Sequence, residues 1–152
     1  MIEGVRITPL KQFADERGKV MHMLRADRPP FEKFGEVYFS TVKPGAVKAW
    51  RRHRKMTVNL AVPIGNILLV LFDDRENSPT RGQVQEVMLG AENYALATIS
   101  PMIWNGFLGV GPEEALIVNC ATLPHDPNEA ERRNESDPAM PYDWSTGPSA
   151  TG

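Results

Sequence analysis

Between residues 35 and 122 the apolar positions come in short bursts separated by turn-forming residues. Segments 35–42, 47–52, 56–62, 67–72, 84–89, 94–99, 103–110 and 114–122 are rich in β-branched and aromatic residues, which favour a pleated, half-buried surface. Between them stand Lys43-Pro44-Gly45, Pro63-Ile64-Gly65-Asn66, Asp73-Asp74-Arg75, Ser78-Pro79-Thr80, Gly90-Ala91-Glu92-Asn93, Ser100-Pro101 and Gly109 to Pro112. These supply residues that tolerate positive φ or hold it near −65°. The pattern predicts an all-β domain, a sandwich or a barrel, because strands recur at a regular spacing. No internal repeat or heptad interrupts it.

The ends read differently. Residues 123–152 are dominated by Pro, Asp, Asn, Glu, Ser and Gly and cannot bury enough apolar surface to fold alone. They are expected to wrap the barrel, with residues 126–133 forming two turns of helix whose acidic residues come early and basic ones late. One domain over 1–146 and a disordered tail over 147–152 follow. A chain of 152 residues and 17.0 kDa has room for one core and therefore one site.

A net charge of −2 and a pI near 5.9 argue against nucleic acid as partner, since that binding requires a basic surface. The start shows no secretion signal, and no stretch approaches the roughly 18 apolar residues of a membrane span, so a cytoplasmic protein with no membrane partner is expected. The single cysteine, Cys120, lies inside an apolar run and reads as packing.

Candidate chemistry concentrates in residues 48–55, Lys48-Ala49-Trp50-Arg51-Arg52-His53-Arg54-Lys55. Strand alternation puts Arg51, His53 and Lys55 on one face and Trp50, Arg52 and Arg54 on the other. Such a strand is either a solvated edge that discourages aggregation or an anion site, in which arginines grip a phosphate and a neutral histidine moves protons. Trp50 and Trp104 are candidates for stacking on a base or sugar, and equally for the core. The usual metal-binding pattern of such barrels needs several histidines and a glutamate. Here Arg51, Thr57 and Asn105 occupy three of those places and only His53 remains, so no metal and no cofactor are expected.

Several segments, in order, resemble the dTDP-4-dehydrorhamnose 3,5-epimerase family of the cupin superfamily. Asp15-Glu16-Arg17-Gly18 is similar to its DxRG, Gly45 to His53 to its GVxRGLHxQ, and Gly65 to Arg75 with Ser78-Pro79-Thr80 and Gly82-Gln83 to its GxVxxVxVDxRxxSPTxGxW. Ser100 to Phe107 is similar to its PPGFAHGF, and Asp137-Pro138 with Asp143-Trp144 to its WNDPxLxIxWP. The resemblance implies a cupin-type jelly-roll barrel with a short helical or irregular C-terminal extension, forming a homodimer that binds a nucleoside diphosphate sugar in the barrel mouth. It implies cofactor-independent epimerisation of a nucleotide-linked 4-keto-6-deoxy sugar in deoxysugar or surface-polysaccharide biosynthesis. A base removes the proton beside the ketone, cations stabilise the enolate, and an acid returns the proton to the other face.

The family's base histidine falls at Arg51, a guanidinium that stays protonated and serves an enolate or a phosphate instead. His53, two residues on and on the same face, is the candidate displaced base. The family's lysine falls at about Val58. Its acid tyrosine belongs near Ala121 to His125, where there is none, leaving His125 or Tyr142 as substitutes. By resemblance Arg17 contacts the diphosphate, with a simple turn residue as the alternative, and Lys48 keeps the charge of the family's arginine. Lys48 and Arg51 can both point inward only across a bulge near Ala49. Asn105 either lines the pocket or caps a turn, Trp104 is a candidate sugar or base contact, and His22 reads as an ordinary strand residue. The alternative to catalysis is a non-catalytic cupin that keeps the sugar-nucleotide pocket; a pocket for another small anion is the third reading.

Overall fold

The computed structural model describes residues 1–146 and contains twelve strands and no α-helix among them. β1 (Val5–Pro9) precedes a small hairpin of β2 (Gln12–Asp15) and β3 (Gly18–Met21). β4 (Glu36–Val42), β5 (Val47–His53), β6 (Val58–Ile64), β7 (Asn66–Phe72), β8 (Val84–Gly90), β9 (Ala95–Ile99), β10 (Trp104–Val110) and β11 (Ala115–Ala121) follow. The eight central strands stand where the apolar bursts put them. The chain closes with β12 (Ala130–Arg132) and a single 3-10 turn at Trp144–Thr146. The tail expected over 147–152 lies outside the described residues.

Two five-stranded antiparallel sheets, ordered β1-β9-β6-β11-β4 and β12-β5-β10-β7-β8, face one another as a jelly-roll-like sandwich. Between them lies the main core, built from Val58, Leu60 and Val62 of β6, Ile67, Leu69 and Leu71 of β7, and Ile117, Ile99 and Phe107 from neighbouring strands. Burial of apolar area at this scale is the main stabilising term for such a domain. β7 is apolar on both faces because its reverse side is also covered. Leu68 and Val70 pack there with Trp50, Trp104 and Met140, under partly buried Tyr142 and Trp144 of the C-terminal segment.

Residues 126–133 do not form the expected helix. Glu129 N donates to Asp126 O to close a turn, and Ala130, Glu131 and Arg132 then pair with His53, Arg52 and Arg51. The edge of β5 offers these residues a full ladder of backbone partners. Glu129 is held by the chain it approaches, with Oε1 accepting from the Arg54 and Lys55 amides at 2.9 and 3.3 Å. That tertiary contact outweighs the weak helix signal of the local charges.

The loop after β7 explains the Asp-Asp-Arg and Ser-Pro-Thr segments. Asp73, fully buried, accepts from the Arg75 amide and guanidinium at 3.0, 2.8 and 2.9 Å, from Ser78 Oγ at 2.5 Å and from Thr80 Oγ1 at 2.6 Å. The Arg75 guanidinium, aided by both hydroxyls, holds the Asp73 carboxyl far below the usual carboxylate range. Thr80 Oγ1 also accepts the Glu3 amide, so the loop ties the N-terminus to the second sheet.

Candidate active site

Where the two sheets open between edge strand β4 and the β12–β5 side of the second sheet, a cleft of about 640 Å³ forms. Strand pairing determines what faces it. Arg51 lies opposite Asn105, which lies opposite Leu71, so Arg51 and Asn105 share the face of the core. Lys48 lies opposite Phe107, itself opposite Leu69, and therefore faces inward as well. An odd separation allows this because the register shifts between Asn105 and Phe107: Ala49 and Trp50 together oppose Gly106 alone. The bulge expected near Ala49 is present, and the Ala49–Trp50 peptide is cis. Gly106 sits where the backbones come closest; a side chain there would collide with Ala49 and reach within 3.1 Å of Trp144 on the reverse face.

The wall contributed by β12 and the residues after it carries Arg132, Arg133 and Asn134. Arg132 is the direct cross-strand neighbour of Arg51. Among the described residues neither guanidinium has an acceptor, whereas Arg52, one position along, bridges Asp74 at 2.9 Å and Glu131 at 2.5 Å. Like charges directly opposite on adjacent strands are unfavourable without an anion between them. Lys48 Nζ donates to the Thr41 carbonyl at 2.6 Å, holding its charge at the same mouth. The facing wall is β4, where Tyr38 and Ser40 pair with Asn119 and Ile117 and point inward.

His53 lies beyond Arg51 along β5, its side chain only 12% exposed, with Nδ1 3.4 Å from Glu129 Oε1. Burial, seconded by the Arg51 charge and opposed by Glu129, lowers its pKa and keeps the imidazole neutral near pH 7. Nδ1 and Glu129 Oε2 are both buried without a hydrogen-bond partner. Among the described residues no three His, Cys, Asp or Glu side chains gather in a way that could hold a metal ion.

The structure thus brings Lys48, Arg51 and Asn105 to the cleft, with His53 behind them. It does not bring Arg17 or Trp104. Arg17 occupies the tip of the β2–β3 hairpin, 84% exposed and paired with Asp15 at 2.7 Å. Trp104 is turned to the reverse face by alternation with Asn105. There Nε1 donates to Asp74 at 3.0 Å and the ring lies under the Arg52 and Arg133 guanidiniums at 4.7 and 4.8 Å. The Trp50 indole is buried on the same reverse face, so both tryptophans serve packing. Val58 is a core residue, and His125 is exposed outside the cleft lining. Tyr142 packs against Trp50 and Trp144 behind the sheet, where burial and its bond to Glu86 raise its pKa.

Sequence reasoning missed Tyr38, Arg132, Arg133 and Glu129. The exposed apolar residues of β4, Val37 and Phe39 at 52% and 69%, disguise its inward face. The two arginines were absorbed into a helix-like charge pattern.

A cupin-type sandwich with an unneutralised cationic mouth defines a protein that handles a small anionic molecule. The family model for dTDP-4-dehydrorhamnose 3,5-epimerase matches residues 1–151, and the chain belongs to that family. That family is one of sugar-nucleotide epimerases, which are isomerases. The chain is 36% identical over 144 residues to the probable low-salt glycan biosynthesis epimerase Agl13 of Haloferax volcanii, spanning 93% of this chain and 89% of that one. It is 28% identical to the spore coat polysaccharide biosynthesis protein SpsL of Bacillus subtilis, over 96% and 98% of the two chains. A solved dTDP sugar isomerase from Desulfovibrio desulfuricans superposes with a TM-score of 0.93 at 47% identity, covering 95% of this chain and 92% of that one. Among the described residues no helix is long and apolar enough to cross a membrane.

Proposed function

We propose that the chain binds a nucleoside diphosphate 4-keto-6-deoxy sugar in the β4–β5 cleft and inverts a carbon beside the ketone by proton transfer, with His53 as the base. The observation that carries this reading is the pair of unpartnered guanidiniums, Arg51 and Arg132, set directly opposite each other at the cleft. A diphosphate or an enolate supplies the missing negative charge through charge-assisted, two-pronged bonds. With Arg51 fixed as a cation, the proton carrier moves to His53 on the same face. The acidity of a carbon beside a carbonyl is what makes a proton-transfer route available.

Incubation with dTDP-4-keto-6-deoxyglucose in heavy water tests the reading. Deuterium at C3 or C5 is expected. Binding of the nucleotide sugar without exchange overturns it and favours the non-catalytic pocket. Arg132→Ala is expected to have two effects of opposite sign. Affinity for dTDP falls about 10- to 150-fold, the worth of a hydrogen bond to a charged group. The free protein becomes more stable by about 0.2–1 kcal/mol as the cross-strand repulsion disappears. Calorimetric titration and thermal melts read the two separately.

The same proposal includes a cytoplasmic homodimer. Phe39 and Val37 stand exposed on edge strand β4, and Phe13 and Val20 form an exposed apolar pair on the hairpin at 57% and 60%. Sedimentation should give twice 17.0 kDa.

A further inference from the structure

Inversion at carbon requires a second proton-handling group on the face opposite the base. The described residues contain three tyrosines and three histidines, and their positions leave one candidate. Tyr94 is buried in the cluster with Ala61 and Leu96, away from the cleft. Tyr142 lies on the reverse side of the second sheet, bonded to Glu86. His22 stacks edge-on against Phe13 of the hairpin, and His125 is exposed outside the cleft lining. Of these side chains Tyr38 alone lines the cleft, with His53 set behind Arg51, and its phenol carries an O–H that can be donated.

The topology places it on the correct side. Tyr38 pairs with Asn119, which pairs with Leu60 of the core, so its side chain faces the space between the sheets. Tyr38 belongs to the β4 sheet and His53 to the β5 sheet. A flat enolate lying between two facing sheets presents one face to each.

From this juxtaposition we infer that Tyr38 is the acid that completes the inversion, an assignment that rests on the proposed reaction. His53 takes the proton from the carbon beside the ketone, the C–H electron pair becomes the enolate double bond, and the ketone oxygen carries the charge toward Arg51 and Arg132. The Tyr38 O–H bond then breaks, its proton forms the new C–H bond on the opposite face, and the carbonyl re-forms. Water returns a proton to the tyrosinate and removes one from the imidazolium. No oxidant or reductant enters the balance.

Tyr38→Phe separates the two proton transfers. In heavy water with dTDP-4-keto-6-deoxyglucose, the variant should still exchange the substrate proton with retention of configuration, because His53 can remove and return it on one face. Formation of the epimer should fall about 10²- to 10⁴-fold, the contribution of a positioned acid. Epimer formation at the wild-type rate overturns the assignment. So does equal loss of exchange and epimer with dTDP binding intact, which would make Tyr38 a support of the first step. Tyr38→His guards against a variant that fails to fold, since it restores a titratable donor on the same wall and should form epimer faster than Tyr38→Phe. If the wild type binds but neither exchanges nor epimerises, the reaction itself falls; a result confined to the Tyr38 variants touches the tyrosine alone.

Discussion

His53→Gln is expected to lower the rate of substrate proton exchange about 10²- to 10⁴-fold, the loss of a positioned general base, while dTDP binding by Lys48, Arg51 and Arg132 persists. Glutamine keeps the length and hydrogen bonding of the side chain but cannot take up a proton at neutral pH. The wild-type rate should be full at pH 7 and fall on acidification, because the imidazole must be neutral to act. Its pKa is lowered from the ordinary 6.5, first by burial and then by the Arg51 charge, so the acid limb should lie below that value. Glu129 opposes those effects from 3.4 Å. Glu129→Gln should therefore move the limb to still lower pH without abolishing the plateau. A rate–pH profile of exchange reads both variants, and an acid limb that stays in place in Glu129→Gln would show that the carboxylate does not act on His53.

Asp73→Ala should be the most destabilising single change outside the apolar core, about 3–5 kcal/mol, since it leaves a half-buried guanidinium without its carboxylate. In a domain of this length that corresponds to a fall in Tm of roughly 6–20 °C. The carboxylate gathers Arg75, Ser78 and Thr80, and through Thr80 the Glu3 amide, so its removal loosens the loop and the N-terminus together. The pH dependence has a definite sign. Asp73 is held below its ordinary value of 3.8, so its contribution is complete above that value and disappears as pH falls toward the lower folded one. Asp73→Asn removes the titrating group. Its stability at pH 7 should be lower than that of the wild type, and the gap should narrow on acidification in chemical unfolding measured across pH.

The fold was legible because the central strands announce themselves locally. Segments such as 67–72 and 114–122 have no other way to bury their apolar residues, and the turns between them carry Gly and Pro where the backbone needs them. Strands β2, β3 and β12, the shortest, were hidden for physical reasons. β2 and β3 expose most of their side chains, so no alternation marks them. β12 is a strand only because β5 offers it an edge. The site was half legible. Alternation marks the basic strand and puts Arg51 and His53 on one face, the inward Lys48 and the bulge it requires come from the family resemblance, and Asn105 stood open between lining the pocket and capping a turn. Arg132 and Tyr38 arrive from chain positions 81 residues after and 13 residues before Arg51, and only sheet order brings them to the same mouth. Trp104 shows the converse: its neighbour Asn105 faces the cleft, and a step of one residue turns the ring to the other side of the sheet.

The glycine opposite the β5 bulge ties the two surfaces of the second sheet together. A Cβ added at Gly106 would collide with Ala49 Cβ and lie 3.1 Å from the Trp144 ring, so β5 and the C-terminal cladding crowd the same point on the reverse face. The bulge that lets Lys48 and Arg51 both face inward is therefore packed against a position that has room only for hydrogen. Any side chain at position 106 would have to part β5 from β10 at Ala49 or push the Trp144 ring away, so the rear of the cleft tolerates no growth there.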